Sequence, residues 1–227
     1  MTRYDFTTQP NRLNQNTMKW HEAESDPELL ELWVADMDFL PVPEIRDAVI
    51  NYAETHIFGY PYPSDELYQS IIDWEKNQHG YSVDKASIVL IEGVVPAIST
   101  AIQSFTKEDD AVLINTPVYP SFARSVRLNN RKLIENSLVK VNGHFEIDFE
   151  QLERDIVDND VKLYVFCSPH NPGGRVWTKE ELTMVADLCQ KHGVLLVSDE
   201  IHQDLALYGN KHISLNTISN AYKDFTL

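Results

Sequence analysis

An α/β fold, with a mostly parallel sheet and helices on both faces, is what this sequence predicts, and three observations predict it. From residue 87 onward, short apolar runs alternate with stretches of helical periodicity. The runs are continuously apolar, as strands covered on both faces require. The chain of 227 residues is 43% apolar, enough to bury one sizeable core with a smaller appendage.

The first forty or so residues are expected to be irregular, ending in the apolar segment Leu32-Trp33-Val34-Ala35-Asp36-Met37-Asp38-Phe39-Leu40-Pro41. A helix over 43–56 follows, because Pro43 suits a first turn and Ile45, Val49 and Tyr52 recur at helical spacing, so one face should pack. Gly59-Tyr60-Pro61-Tyr62-Pro63 reads as a turn. Ser64 is then a good N-cap, with Asp65 and Glu66 in the first turn and Leu67, Ile71 and Trp74 forming a second stripe. Strands are expected at 88–91, 111–114, 133–137, 161–167 and 194–198. Between them one helix begins near Pro96, with Ile98, Ala101, Ile102 and Phe105 inward. Another begins at Thr178, which forms a capping box with Glu181, and stops at Gly193. This alternation is βαβ architecture, and no internal repeat or low-complexity tract interrupts it.

Charge narrows the partners. Thirty-five acidic against nineteen basic side chains give a net charge of -16, which opposes binding to nucleic acid. The densest basic group, Arg124, Arg127, Arg131 and Lys132, fits a solvated helix face. Met1-Thr2-Arg3-Tyr4-Asp5-Phe6 holds no apolar run suited to a signal peptide, and no stretch approaches a membrane span, so a cytoplasmic protein is expected. Cys167 and Cys189 sit in apolar patterns and read as reduced core residues.

In an open parallel sheet, ligands bind beyond the carboxyl ends of the strands. Gly93-Val94-Val95 leads into a helix whose free N–H groups suit a phosphate, although a glycine between strand and helix is usually only a tight turn. Tyr119, between Val118 and Pro120, could stack on a flat aromatic ligand or simply pack at the surface. Asn171, in Asn171-Pro172-Gly173-Gly174, could donate its amide to a ligand oxygen or shape a plain turn. Asp199 is carried to the end of an apolar run, where its carboxylate is costly unless a cation is present. His202 can point to the same region, and the alternative is an acid capping the next helix beside a solvated histidine. A metal held by Asp199, Glu200 and His202 is disfavoured, since there is no H-E-x-x-H and no second histidine cluster.

Taken in order, these segments resemble the fold-type-I pyridoxal-phosphate enzymes of the aminotransferase superfamily. Trp33 to Phe39, Phe58-Gly59-Tyr60, Gly93-Val94-Val95-Pro96-Ala97, Asn171-Pro172-Gly173-Gly174-Arg175-Val176-Trp177 and Ser198-Asp199-Glu200-Ile201-His202 resemble the MalY/PatB group of cystathionine β-lyases within it. The resemblance implies pyridoxal 5'-phosphate as cofactor, a small-molecule sulfur amino acid as substrate, and a homodimer. It implies carbon–sulfur β-elimination from cystathionine or cysteine S-conjugates, releasing a thiol, pyruvate and ammonia. Under it, Asp199 would pair with the pyridine nitrogen, Asn171 with the ring's phenolic oxygen, and His202 would lie nearby. Tyr119 would stack on the ring, Gly93, Val94 and Val95 would hold the phosphate, and Tyr60 would reach the neighbouring subunit's phosphate. Trp33, Val34 and Ala35 would lie beside the substrate carboxylate.

The same resemblance implies that residues 1–45 are an N-terminal arm with part of a small domain, and that 46–227 are an incomplete large domain without its C-terminal small domain. The family's Schiff-base lysine falls about thirty to thirty-five residues beyond the pyridine-binding aspartate, and is therefore expected beyond Leu227. Lys211 and Lys223 follow no Ser/Thr-rich strand end, and Phe225-Thr226-Leu227 resembles the start of the lysine-bearing strand. No catalytic residue is thus assigned, and an interrupted gene product is expected. An aminotransferase of the same fold and a non-catalytic fragment are the alternatives.

Overall fold

The computed structural model describes residues 4–26 and 28–227; the opening Met1-Thr2-Arg3 of the N-terminal segment lies outside them. The chain divides into two compact units, Met1–Tyr62 and Pro63–Leu227. The helix α1 (Pro43–Thr55) falls within the first unit, where Tyr4 Oη donates to Glu44 at 2.9 Å.

Among its described residues, the first unit is irregular before α1 apart from one 3-10 turn at Glu22–Glu24. Charge organises it. Asp38 accepts from Arg12 Nη1 at 2.6 Å, Lys19 Nζ at 2.8 Å and Trp20 Nε1 at 3.0 Å. Arg12 also binds Asp36, and Lys19 donates to the Asp36 carbonyl at 2.8 Å. These donors hold the Asp38 carboxyl down to about 2, with Lys19 the largest cause. Pro43 occupies the first turn of α1 as expected, but the stripe of Ile45, Val49 and Tyr52 is exposed and not packed, and α1 buries no residue.

In the second unit α2 (Asp65–Trp74) starts where expected, with the Ser64 side chain accepting from Leu67 N at 3.2 Å. It continues as a π-helical turn, Glu75–His79, and stops at Gly80, whose φ of 69° favours glycine. The expected strand at 88–91 does not form. Val89 is 84% exposed, and among the described residues no strand runs beside this segment to pair its backbone. The chain then enters α3 (Val94–Phe105).

The remaining elements are β1 (Ala111–Thr116), α4 (Ser121–Leu128), β2 (Lys132–Ser137), the hairpin β3 (Val139–Val141) and β4 (His144–Glu146), α5 (Phe149–Asp158), β5 (Val161–Cys167), α6 (Lys179–His192) and β6 (Leu195–Asp199). The main sheet has the order β2-β1-β5-β6 and is parallel throughout. Alternate residues of each strand serve opposite faces, as the pleat requires. Leu113, Tyr164, Phe166 and Leu196 pack with α5 and α6, around Leu152, Ile156, Leu182 and Val185. Val112, Ile114, Leu163 and Val165 pack with α3 and α4, around Ile98, Ile102, Phe122 and Val126. Helices therefore cover both faces. Cys167 and Cys189 are free and buried, and burial pushes both thiols up to about 12.

The capping box is present, with Glu181 N donating to Thr178 Oγ1 at 3.2 Å and Thr178 N to the Glu181 carboxylate at 2.8 Å; α6 ends at Gly193 with φ 68°. Phe225–Leu227 lies parallel to the free edge of β6, where Leu196 N donates to Phe225 O at 2.8 Å and Ser198 N to Leu227 O at 2.9 Å. The basic group does not share one helix face. Arg124 and Arg127 are exposed on α4, whereas half-buried Arg131 donates through Nε to Thr106 Oγ1 at 2.8 Å and Lys132 opens β2. Among the described residues no helix is long and apolar enough to cross a membrane.

Candidate functional site

Parallel pairing brings the carboxyl ends of β1, β5 and β6 to one edge of the sheet, and the loops after them carry three of the residues singled out in the sequence. Asp199 is the last residue of β6, in register with Cys167, and its carbonyl accepts from Ser168 N at 2.9 Å. It is only 8% exposed. Its carboxylate accepts from Ile201 N at 3.1 Å, and no lysine or arginine pairs with it among the described residues. Burial accordingly raises its pKa, partly offset by the Ile201 N–H and by His202. A desolvated acid at a ligand-facing edge without a cation fits a ligand that brings one.

The first turn of α3 lies on the same wall. Gly93 precedes it at φ 155° and ψ 170°, a conformation open to glycine and strained for other residues. The helix begins at Val94, two residues earlier than expected, because a proline is tolerated anywhere in a first turn, where its missing N–H has no partner to lose. The N–H groups of Val94 and Val95 are left without intrahelical acceptors and suit an anion. A cavity of about 660 Å³ runs along this wall, with Val94, Ala97 and Ile98 on one side and Val197, Asp199 and Ile201 on the other.

Tyr119 and Asn171 are joined through their backbones, with Tyr119 N donating to Asn171 O at 3.1 Å. Tyr119 is 42% exposed, its ring edge-on to Phe122 at 6.3 Å. Among the described residues neither its phenol nor the Asn171 side-chain amide makes a hydrogen bond, so both remain available to a ligand. His202 follows Asp199 in the turn before a 3-10 segment, Gln203–Leu205, and is half-buried.

Asp199, Glu200 and His202 do not converge on a common point. Glu200 instead accepts from Ser198 Oγ at 2.9 Å and Leu215 N at 3.3 Å, and pairs with His212 Nε2 at 3.0 Å. Among the described residues no group of three or more His, Cys, Asp or Glu could hold a metal ion. Lys211 is exposed, and the Lys223 ammonium lies 5.8 Å from the centre of the Tyr81 ring. Tyr60, Trp33, Val34 and Ala35 belong to the first unit. Tyr60 is wholly exposed, Trp33 is 60% exposed with its indole N–H on Glu31 at 3.1 Å, Val34 is half-buried and Ala35 exposed.

Two residues that the sequence did not assign to the site also shape it. His170 is 3% exposed and accepts from Gly173 N through Nδ1 at 3.2 Å. The Cys167 thiol accepts from Asn171 N at 3.3 Å and donates to Pro169 O at 3.4 Å. The signal open to a sequence reader was a histidine three residues ahead of a glycine in a proline-rich loop.

Known proteins fit this architecture. The family model for aminotransferase class I and II matches residues 27–225. The chain is 39% identical over 226 residues to cystathionine beta-lyase PatB of Bacillus subtilis, covering 98% of this chain and 58% of that protein. It is 33% identical over 193 residues to protein MalY of Escherichia coli, covering 85% of this chain and 50% of that protein. The crystal structure of cystalysin from Treponema denticola, which contains a pyridoxal 5'-phosphate cofactor, superposes with a TM-score of 0.93 at 38% identity, covering 99% of this chain and 58% of that one. The chain thus spans 50 to 58% of the length of these relatives.

Proposed function

Because the chain belongs to the aminotransferase class I and II family, we propose that it carries the cofactor-cradling residues of a cytoplasmic pyridoxal-phosphate-dependent carbon–sulfur β-lyase. Its substrate is cystathionine or a cysteine S-conjugate, and its products are a thiol, pyruvate and ammonia. The observation that carries the reading is Asp199, a buried carboxylate that no lysine or arginine pairs with among the described residues, at the end of β6 beside a cavity that also reaches the first turn of α3. Similarity to PatB and cystalysin supports the choice of reaction.

When bound, the cofactor supplies an electron sink for the carbanion that forms at the substrate Cα. Asp199 keeps a proton on the ring nitrogen, since its own desolvation is relieved only by a positive partner. Asn171 donates its amide to the ring's phenolic oxygen, with His202 alongside. Tyr119 would offer its ring for stacking. Val94 and Val95 offer first-turn N–H groups to the phosphate, and Gly93 lets the backbone approach it. Trp33, Val34 and Ala35 border the substrate carboxylate. Tyr60 serves the phosphate of a second subunit in a homodimer, and the exposure of Tyr60, Phe58 and Ile57, at 105%, 77% and 91%, supports such an interface.

Titration of the chain with pyridoxal phosphate, followed by absorbance and tryptophan fluorescence, tests the cradle. Saturable binding is expected, weakened about tenfold or more by Asp199→Ala; absence of saturable binding in the wild type overturns the reading. The reaction class is decided by assaying turnover of a cysteine S-conjugate. Pyruvate release from a cysteine S-conjugate without added keto acid supports the lyase, while amino transfer that requires a keto acid replaces it with an aminotransferase.

A further inference from the structure

The loop that presents Asn171 is built around a histidine for which the reaction has no evident use. His170 N donates to Arg175 O at 2.8 Å and its carbonyl accepts from Gly174 N at 2.8 Å, so the backbone closes around its side chain. Inside that closure Nδ1 accepts from Gly173 N at 3.2 Å. A Cβ placed on Gly173 would sit 2.6 Å from Nδ1 and 3.1 Å from the Phe145 ring, so the loop backbone rests directly on the imidazole. The other side of the ring meets Trp177 edge-on at 5.6 Å, and Trp177 is itself 2% exposed and pinned by its indole N–H to Cys167 O at 2.9 Å.

The ring keeps this arrangement at a cost. Since Nδ1 accepts, the proton of the neutral ring sits on Nε2, and among the described residues Nε2 is buried with no hydrogen-bond partner. A leucine would fill the same space and leave no donor unpaired, so packing alone does not account for an imidazole here. Burial and the nearby Arg175 charge push the His170 pKa down to about 4, which keeps Nδ1 free to accept at neutral pH.

We propose that His170 is a positioning residue whose Nδ1, by accepting the Gly173 N–H, fixes the Asn171–Gly174 loop and with it both groups that flank the cofactor ring. The link to the second group is the bond from Tyr119 N to Asn171 O at 3.1 Å, which makes Tyr119 move with the loop. The proposal rests on the cofactor reading of Asn171 and Tyr119, and places their precision in a residue that touches neither cofactor nor substrate.

The test separates an acceptor from a space-filler. In the wild-type chain, 15N spectra of the imidazole are expected to place the proton on Nε2, and a proton on Nδ1 overturns the proposal whatever the variants do. His170→Asn sets an amide oxygen near the position of Nδ1, whereas His170→Leu keeps bulk without an acceptor. Amide exchange at Gly173 and Tyr119 is expected to accelerate about tenfold in His170→Leu and to stay within about threefold of wild type in His170→Asn. Pyridoxal phosphate affinity should follow the same order. Equal exchange in wild type and His170→Leu, or equal damage in both variants, overturns the clamp, as does faster exchange with unchanged affinity. A wild-type chain that binds no cofactor defeats the cofactor reading instead, and the exchange rates still decide the clamp.

Discussion

Apolar side chains are used in opposite ways by the two units. Leu113, Leu163 and Phe166 of β1 and β5 are fully buried, whereas Leu32 and Ile57 of the first unit are 87% and 91% exposed. The second unit gains its order from apolar burial on both faces of a parallel sheet. The first gains it from Asp38 and the three donors around that carboxylate. An arm secured mainly by polar contacts can have a defined shape and still present apolar surface to another molecule, as the proposed homodimer requires.

The largest effect should come from the sheet. Phe166 touches Tyr164 and Trp177 at ring distances of 5.6 and 5.7 Å, and Phe166→Ala is expected to cost about 3–5 kcal/mol in urea denaturation. A loss below about 1 kcal/mol would mean that the second unit is no better packed than the first, and the contrast would fail.

Gly173→Ala should come next. The added methyl must displace His170 or Phe145, and overpacking of this kind costs about 1–3 kcal/mol. If the variant unfolds at the wild-type urea concentration, the site loop yields more easily than the sheet behind it, and rigidity stops at the strand ends.

The same contrast explains what the sequence disclosed. Strands β1, β2, β5 and β6 were legible to within two residues because continuous apolar runs between turn residues have few other readings, and Ser64, Thr178 and Gly193 marked helix ends by chemistry confined to one turn. Segment 88–91 has the composition of a strand but lacks a neighbour, and pairing is a property of two segments. The exposed stripe of α1 departs from expectation for a related reason: periodicity identifies an apolar face without saying what covers it. The Val139-Lys140-Val141-Asn142-Gly143-His144 hairpin carries an Asn-Gly turn signal between two short strands. Asp199 could be picked out because an acid closing an apolar run is anomalous on its face. His170 could not, since the link from its ring to Gly173 N depends on how the loop folds back.

Charge in the arm offers a sharper probe of the first unit. The Asp38 carboxyl is depressed to about 2, so its contribution to folding is present above the ordinary carboxylate range and is lost as pH falls toward 2. Pepsin cleavage within residues 4–40 is therefore expected to accelerate between pH 4 and pH 2, ahead of cleavage in the sheet. Asp38→Asn should raise cleavage several-fold already at pH 4, because Arg12 and Lys19 lose their shared anion. Simultaneous cleavage of both regions would show that the arm has no separate stability to lose.

The smallest effect on the isolated chain should come from α1. Val49 is 64% exposed, and Val49→Ser removes little buried area, so urea denaturation at low concentration should change by less than about 0.5 kcal/mol. Self-association is where the substitution should register. If α1 faces a second copy, sedimentation equilibrium will show dimerisation weakened several-fold, since a hydroxyl would be buried where a methyl had been. The two measurements constrain each other. A change in monomer stability as large as that of Phe166→Ala would mean that α1 is covered within its own chain, and the contrast between a buried core and a displayed apolar face would disappear. Unchanged association with unchanged stability would confine the proposed contact to the exposed 57–62 segment that carries Tyr60.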